Sequence, residues 1–427
     1  MALIERLAGE LIREGQLTLI MPGGGRKLIG PGGGRSVTVR LTDRKVAFDI
    51  ARNPRLGLGE AYMDGRVVIE EGDILELMRL VVGSNRWELG GASRKKLNRG
   101  KSRLKALFRR NEANRARKNV AHHYDIGNDL YRLFLDDDLQ YSCAYFTHPG
   151  NSLEQAQSDK KAHIAAKLAL EPGQHVLDIG CGWGGTALYL NRVAGVQVTG
   201  ITLSEEQLKV ARQRAAAAGV ADQVRFELLD YRAVEGEFDR IVSIGMFEHV
   251  GAAHYEEFFA TCRRLLKPQG VMLLHTIGKY GKAAAPDPFT DKYIFPGYHL
   301  PSLSQIAAAS ERVRLMTTDV ETLRLHYAYT LTHWLDRTRA NRDRIVAMYD
   351  ERFFRLWEFY LAGGVVGFEL GTMCNYQLQY VRDRHALPIV RDYMVDRERE
   401  LRAAAADEQP RRKAQRRLSS ATSAGAG

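Results

Sequence analysis

The period of the apolar positions changes along the chain. Near its start Leu3, Ile4, Leu7, Leu11 and Ile12 recur at helical spacing, and "SVTVRL" and "KVAFDI" then alternate as half-buried strands do. The glycine-rich stretch "MPGGGRKLIGPGGGR" flanks them. Its two PGGG segments read as turns; as phosphate loops they would have to run into a helix bearing Lys-Ser/Thr, and neither does. "GDILELMRLVVG" predicts a short helix with an apolar face that closes a small α+β domain over residues 1–92. From residue 119 onward "HVLDIG", "VQVTGIT", "VRFELLD", "FDRIVSIG" and "VMLLHTIG" are compact apolar runs separated by helical patterns. That alternation predicts an α/β, doubly wound, mostly parallel sheet in a second domain, residues 119–402. Beyond Leu300, "PSLSQIAAASERV" and the aromatic-rich residues 325–379 read as helices, with one strand near Leu315. The Ala-, Arg- and Ser-rich tail, residues 403–427, reads as disordered.

Length and composition agree with two domains, since 427 residues exceed one ordinary core and 45% apolar content is that of a globular protein. The first fifteen residues are interrupted by Glu5, Arg6 and Glu10 and lack the unbroken apolar run of a signal peptide. The run "LAGGVVGF" stops at Glu369, far short of the roughly 20 residues that span a bilayer. Four cysteines, Cys143, Cys181, Cys262 and Cys374, form neither a CxxC pair nor a zinc-spaced cluster, which suits a reduced, cytoplasmic protein without a metal. The charge is more telling for where it lies. Of 62 Lys and Arg against 51 acids, twelve bases and one acid, Glu112, fall within residues 94–118, so the rest of the chain is balanced. This basic linker, residues 93–118, carries Leu97, Leu104, Leu107 and Phe108 among its charges. It fits a helix on an anionic membrane surface, and equally a solvated linker helix; nucleic acid is disfavoured, because no base-reading motif accompanies it.

Candidate chemistry centres on "VLDIGCGWGG". A strand ends at Asp178, and Gly180, Gly182 and Gly184 allow a close backbone turn before a helix near Thr186. Doubly wound folds bind adenosine cofactors at such a turn. A nicotinamide fold would put an acidic residue at the end of the second strand; here that strand runs into "GITLSEEQL", with Thr202, Ser204 and Gln207 in its place. The third strand ends in "LLDYR", offering Asp230 to an adenine amino group, and "FDRIVSIGMFEHVG" follows. This order of strand ends is that of an S-adenosylmethionine-dependent methyltransferase. Cys143, within "YSCAYF", could be a nucleophile, a metal ligand or a small buried hydrophobe. His275 could be a satisfied core histidine, Glu248 a helix brace and Tyr327 simple core. "HHYD" at residues 122–125 could suggest a metal, but no third ligand is adjacent.

The blocks "AHHYDIGNDLYRLFLDDDLQYSCAYF", "VLDIGCGWGG", "GITLSEEQ", "MFEHVG", "LLHTIG" and "HYAYTLTHW", in this order over residues 119–395, resemble the cyclopropane-fatty-acyl-phospholipid synthases and their mycolic acid-modifying relatives. "GLGEAYMDGRVVIEEGD" looks like the N-terminal, lipid-binding domain of the phospholipid-acting members. The resemblance implies that the methyl of S-adenosylmethionine adds to a cis double bond of an unsaturated phospholipid chain and that a bicarbonate ion removes a proton so that a three-membered ring closes. It further implies that bicarbonate is held by the backbone at Cys143 and Ile277 and by the side chains of Glu248, His275 and Tyr327. Tyr141, Ser142, Gly180, Thr202, Leu203, Gln207 and Asp230 would contact the cofactor. A relative forming a methyl-branched or methylene product would share the first step. With the basic linker, a phospholipid substrate makes a cytoplasmic protein peripherally associated with the inner face of the membrane the expectation, and the resemblance makes a homodimer plausible. Gly245 in "GMFEHVG" stands where the family pattern leads one to expect a small residue such as serine.

Overall fold

A computed structural model describes residues 2–83, 86–89, 127–282 and 285–405. The basic linker, "HHYD" and the chain beyond residue 405 lie outside the described residues.

The N-terminal unit is a four-stranded sheet ordered β2-β1-β3-β4, formed by β1 (Gly15–Ile20), β2 (Arg26–Gly32), β3 (Ser36–Leu41) and β4 (Val67–Glu71). It carries helices α1 (Ala2–Leu11), α2 (Arg44–Arg52), α3 (Pro54–Met63) and α4 (Ile74–Gly83). The first glycine run is a turn: Met21 and Gly24 close it with backbone hydrogen bonds to Gly25 and Met21. Two expectations change here. Residues 26–32, read as part of the glycine-rich turns, pair with β1 as a strand. "KVAFDI", read as a strand, lies in α2, because the Asp43 carboxylate accepts the backbone N–H groups of Lys45 and Val46 and caps a helix at that point.

The larger sheet has the order β10-β11-β9-β8-β5-β6-β7. Its strands are β5 (His175–Ile179), β6 (Gln197–Thr202), β7 (Val224–Leu228), β8 (Phe238–Ile244), β9 (Leu266–Lys279), β10 (Met316–Leu323) and β11 (Met373–Val381). All run in one direction except β11, which is antiparallel to both β9 and β10. Before the sheet come α5 (Asn128–Phe134) and α6 (Leu153–Lys167); between its strands lie α7 (Gly185–Ala194), α8 (Glu205–Ala217), α9 (Tyr255–Leu265), α10 (Pro288–Tyr293) and α11 (Leu303–Arg312). After β10 follow α12 (His326–Ala340), α13 (Arg342–Met348) and α14 (Glu351–Glu369). Residues 373–379 are thus strand, not helix; β5 ends at Ile179, one residue past Asp178; α7 starts at Gly185; and helix continues through residue 405, past the expected boundary at 402.

Three buried clusters hold the molecule together. One packs α6, α7 and α8 on one face of the large sheet, and a second packs α9 and α11 on the other. The third runs without a break from the N-terminal sheet through α3 and α4 into α5, α12 and α14. Polar contacts fasten the same seam: Tyr62 donates to Glu358 at 2.6 Å, Arg79 pairs with Glu369 at 2.8 Å, and Arg339 bridges Asp73 and Glu358. The N-terminal unit therefore forms a wall of the space beside the large sheet's carboxyl edge.

Candidate active site

The chain moves outward from β5 through β6 to β7, then crosses to β8 on the other side, so a crevice opens at the carboxyl ends of β5 and β8. A cavity occupies it, lined by Tyr141, Ser142, Asp178, Gly180, Gly182, Thr202, Leu203, Gln207 and Asp230. Gly180 and Gly182 turn at φ +85° and +55°. A side chain at Gly182 would meet no atom within 4 Å, whereas one at Gly184 would strike the Phe226 ring at 2.6 Å. Gly184 accordingly does not line the cavity; it lets α7 approach the sheet. Thr202 donates to Gln207 at 3.0 Å, linking the end of β6 to the first turn of α8. Burial opposes ionisation of Asp230, but the hydrogen bonds of Arg232 prevail and hold its carboxyl below the ordinary range. Asp178 is buried, Oδ2 has no hydrogen-bond partner, and desolvation pushes its pKa up to about 7.

A second cavity, of about 660 Å³, meets the first at Tyr141, Ser142, Gly245 and His249. It is lined mainly by apolar side chains, drawn from the N-terminal unit as well as from α12 and α14. Cys143, Glu248, His275, Ile277 and Tyr327 all line it. Glu248 sits in the short turn after β8, where Oε1 accepts the Ile277 N–H at 2.5 Å and Oε2 is buried with no partner. Desolvation raises its pKa to about 7. His275 and Ile277 lie within β9, four and two residues short of its end. Burial keeps the His275 imidazole neutral, and its Nε2 and Nδ1 each stand 3.1 Å from a side-chain amide, of Asn375 and Gln377. A neutral ring has one donor and one acceptor nitrogen, so one amide presents its oxygen and the other its NH₂. Cys143 is wholly buried, and desolvation raises its pKa far above the ordinary thiol range. Tyr327 packs its ring on Phe368 with centroids 4.6 Å apart.

Sequence reasoning missed Asn375 and Gln377, because the strand carrying them read as helix. It also missed His249, which borders both cavities and lies next to a residue that was singled out. Tyr141 was found, but not its surroundings: its ring stacks on Trp334 at 5.1 Å, and its hydroxyl lies 3.2 Å from that of Tyr360.

Residues 111–378 match the mycolic acid cyclopropane synthetase family. The chain belongs to it. Among relatives, this family member is 41% identical over 327 residues to the cyclopropane-fatty-acyl-phospholipid synthase of Escherichia coli K12, covering 77% of this chain and 83% of that one. It is 38% identical to a probable fatty acid methyltransferase of Pseudomonas putida, over 84% of this chain and 91% of the relative. The crystal structure of the mycolic acid cyclopropane synthase CmaA1 complexed with SAH and CTAB superposes with a TM-score of 0.59 at 35% identity, covering 62% of this chain and 97% of that one. The chain is an S-adenosylmethionine-dependent methyltransferase, with the corresponding fold. Its first cavity fits that co-substrate: the space open at Gly182 admits a ligand against bare backbone, and the unpartnered Asp178 Oδ2 offers an acceptor.

Proposed function

We propose that the enzyme transfers a methylene group from S-adenosylmethionine to the cis double bond of an unsaturated phospholipid acyl chain, forming a cyclopropane ring, while it rests on an anionic membrane surface. The observation that carries this reading is the meeting of the crevice at the glycine turn with a large, mainly apolar cavity across a wall made of Tyr141, Ser142, Gly245 and His249. An acyl chain suits the apolar side. Arg55 and Lys279, both on its lining, suit the phosphate of a headgroup.

When bound, S-adenosylmethionine supplies an electrophilic methyl group and bicarbonate a small base. An alkene has no proton to remove first, so the protein's task is alignment, for which the shared wall is suited. Cys143 keeps its thiol proton, which supports a role for its backbone and shape in preference to nucleophilic attack. Glu248 suits an anion's neighbour: its free Oε2, with a pKa of about 7, can donate a hydrogen bond when protonated. The faces of Tyr141, Tyr327 and Tyr360 around the cavity favour a transient cation on the acyl chain without trapping it covalently. His275, neutral and held by Asn375 and Gln377, adds no positive charge against that cation.

A second reading, transfer that ends in a methyl-branched or methylene-bearing chain, is favoured by the fatty acid methyltransferase among the relatives. Incubation with vesicles of unsaturated phosphatidylglycerol and cofactor labelled in the methyl carbon tests the shared step. Label should enter the lipid, and none should enter fully saturated vesicles; equal labelling of both would refute addition to a double bond.

A further inference from the structure

Behind the wall between the cavities lies a lysine that the reaction described so far does not use. Lys160, in the middle of α6, is 0% exposed, although lysine is among the side chains least often fully buried without an ionic partner. Among the described residues it forms no ion pair. Burial lowers its pKa to about 7, and its amino group instead donates to Gln140 Oε1 at 2.7 Å and to Ser142 Oγ at 2.8 Å. One helical turn earlier Gln157, also 0% exposed, donates through Nε2 to the backbone carbonyls of the same two residues, at 3.1 and 3.0 Å. Two side chains three positions apart share a helix face, so α6 grips Gln140 and Ser142 by main chain and side chain together.

The gripped segment is the strap that divides the site. Leu139, Gln140, Tyr141 and Ser142 line the cofactor crevice, while Tyr141, Ser142 and Cys143 line the apolar cavity. The strap needs holding, because Leu139 sits at φ +57°, a conformation that side-chain-bearing residues seldom adopt. An apolar side chain at position 160 would fill the space without the desolvation cost of an ammonium. It would leave the Ser142 hydroxyl without this donor and the Gln140 amide oxygen with only the longer bond from Thr186, at 3.4 Å.

We propose that Lys160 is a positioning residue of the reaction: its side-chain amino group, with the Gln157 amide, sets the strap so that the cofactor crevice and the apolar cavity stay in line. The second half of this statement rests on the acyl-transfer reading above; the hold on the cofactor side does not. Lys160→Met in the full-length protein retains side-chain length while removing charge and donors. S-adenosylhomocysteine binding by calorimetry should weaken on the order of tenfold, as expected for buried hydrogen bonds lost behind the lining. Turnover on unsaturated phosphatidylglycerol vesicles should show a matching rise in cofactor KM and a kcat lower by about a hundredfold, the cost of slight misalignment, with lipid KM little changed. A merely structural lysine would reduce the active fraction and leave both KM values where they were. That result, or wild-type affinity for S-adenosylhomocysteine, overturns the proposal. Should Lys160→Met not fold, Gln157→Met, which lies outside the lining of both cavities and removes the amide that holds the Gln140 and Ser142 carbonyls, should shift the same constants in the same direction by a few fold; unchanged constants there overturn it equally. If the wild-type enzyme fails to modify lipid, the functional reading falls, and the calorimetric comparison still decides the role of Lys160.

Discussion

Glu248 has two carboxylate oxygens in different circumstances, one accepting the Ile277 N–H and the other buried without a partner. If the second oxygen serves a base bound beside it, Glu248→Gln should lower kcat by about a hundredfold or more while S-adenosylhomocysteine binding stays within a few fold, because the lost interaction belongs to the transition state. The same substitution tests the electrostatics. Burial raises the folded-state pKa from 4.5 to about 7, so folding holds this proton more tightly than the unfolded chain does. The associated stability is complete below the unfolded value and is lost as pH rises through about 7. Glu248→Gln should therefore raise the thermal midpoint relative to wild type at pH 8 and change it little at pH 4. Cys143 supplies the contrast. With its thiol proton retained, Cys143→Ser should leave far more activity than Glu248→Gln, and complete loss in a folded Cys143→Ser protein would revive a thiol mechanism.

At the scale of elements, the turn from β5 into α7 separates two uses of glycine that the motif "GCGWGG" presents alike. Gly182 and Gly184 both have positive φ, which costs a residue with a side chain about 1–2 kcal/mol. Only at Gly184 would a Cβ also collide with Phe226 and crowd Ala211. Gly184→Ala should thus lower stability by a further 1–3 kcal/mol or so, measurable by urea unfolding, through overpacking. Gly182→Ala should be milder in stability and should weaken cofactor binding, since its methyl enters the crevice. The parallel strands β5, β6, β8 and β9 were legible because central strands buried on both faces are largely apolar runs, and the edge strand β7 because its buried and exposed positions alternate. "KVAFDI" was not, since Val46, Phe48 and Ile50 alternate as in a strand; the fold buries Val46, Ala47 and Ile50 and leaves Phe48 60% exposed. A six-residue window satisfies both periods, and the Asp43 cap decides. β11 escaped for a different reason. Its Cys374, Tyr376, Leu378 and Tyr380 face one core, but Asn375, Gln377 and Gln379 alternate with them, buried and amide-bearing, directly after an aromatic helix. The cofactor side of the site was readable from strand ends, whereas the partners of His275 depended on a strand that arrives 100 residues later.

For the molecule as a whole, the properties to test are its charge distribution and its product. Among the described residues no helix is long and apolar enough to cross a membrane. Residues 94–118 concentrate twelve bases on an otherwise balanced chain, and each Lys or Arg near an anionic surface contributes about 1 kcal/mol. Neutralising six of them should weaken sedimentation with phosphatidylglycerol vesicles by orders of magnitude and leave less salt dependence to lose; unchanged binding would assign the strip to a solvated linker. The product distinguishes the remaining readings. Adding a methyl cation equivalent to an alkene leaves a cation on the acyl chain, and closure of the ring requires one hydrogen to leave the incoming methyl carbon. Cofactor carrying a fully deuterated methyl should then deliver two deuterons to each modified chain. Three retained deuterons would mean a methyl branch, with the proton lost or a hydride gained elsewhere, and would refute ring closure. Two are also compatible with an exocyclic methylene, formed when a hydride shifts along the chain before the same loss. Proton spectra of lipid made with unlabelled cofactor separate these outcomes, since cyclopropane hydrogens resonate at unusually high field and methylene hydrogens in the alkene region. Glu248, whose second oxygen is buried without a partner, lines the apolar cavity, which adjoins the cofactor crevice at Gly245 and His249, so a base held beside this residue would act near the transferred carbon. The expected outcome is two deuterons and high-field ring signals.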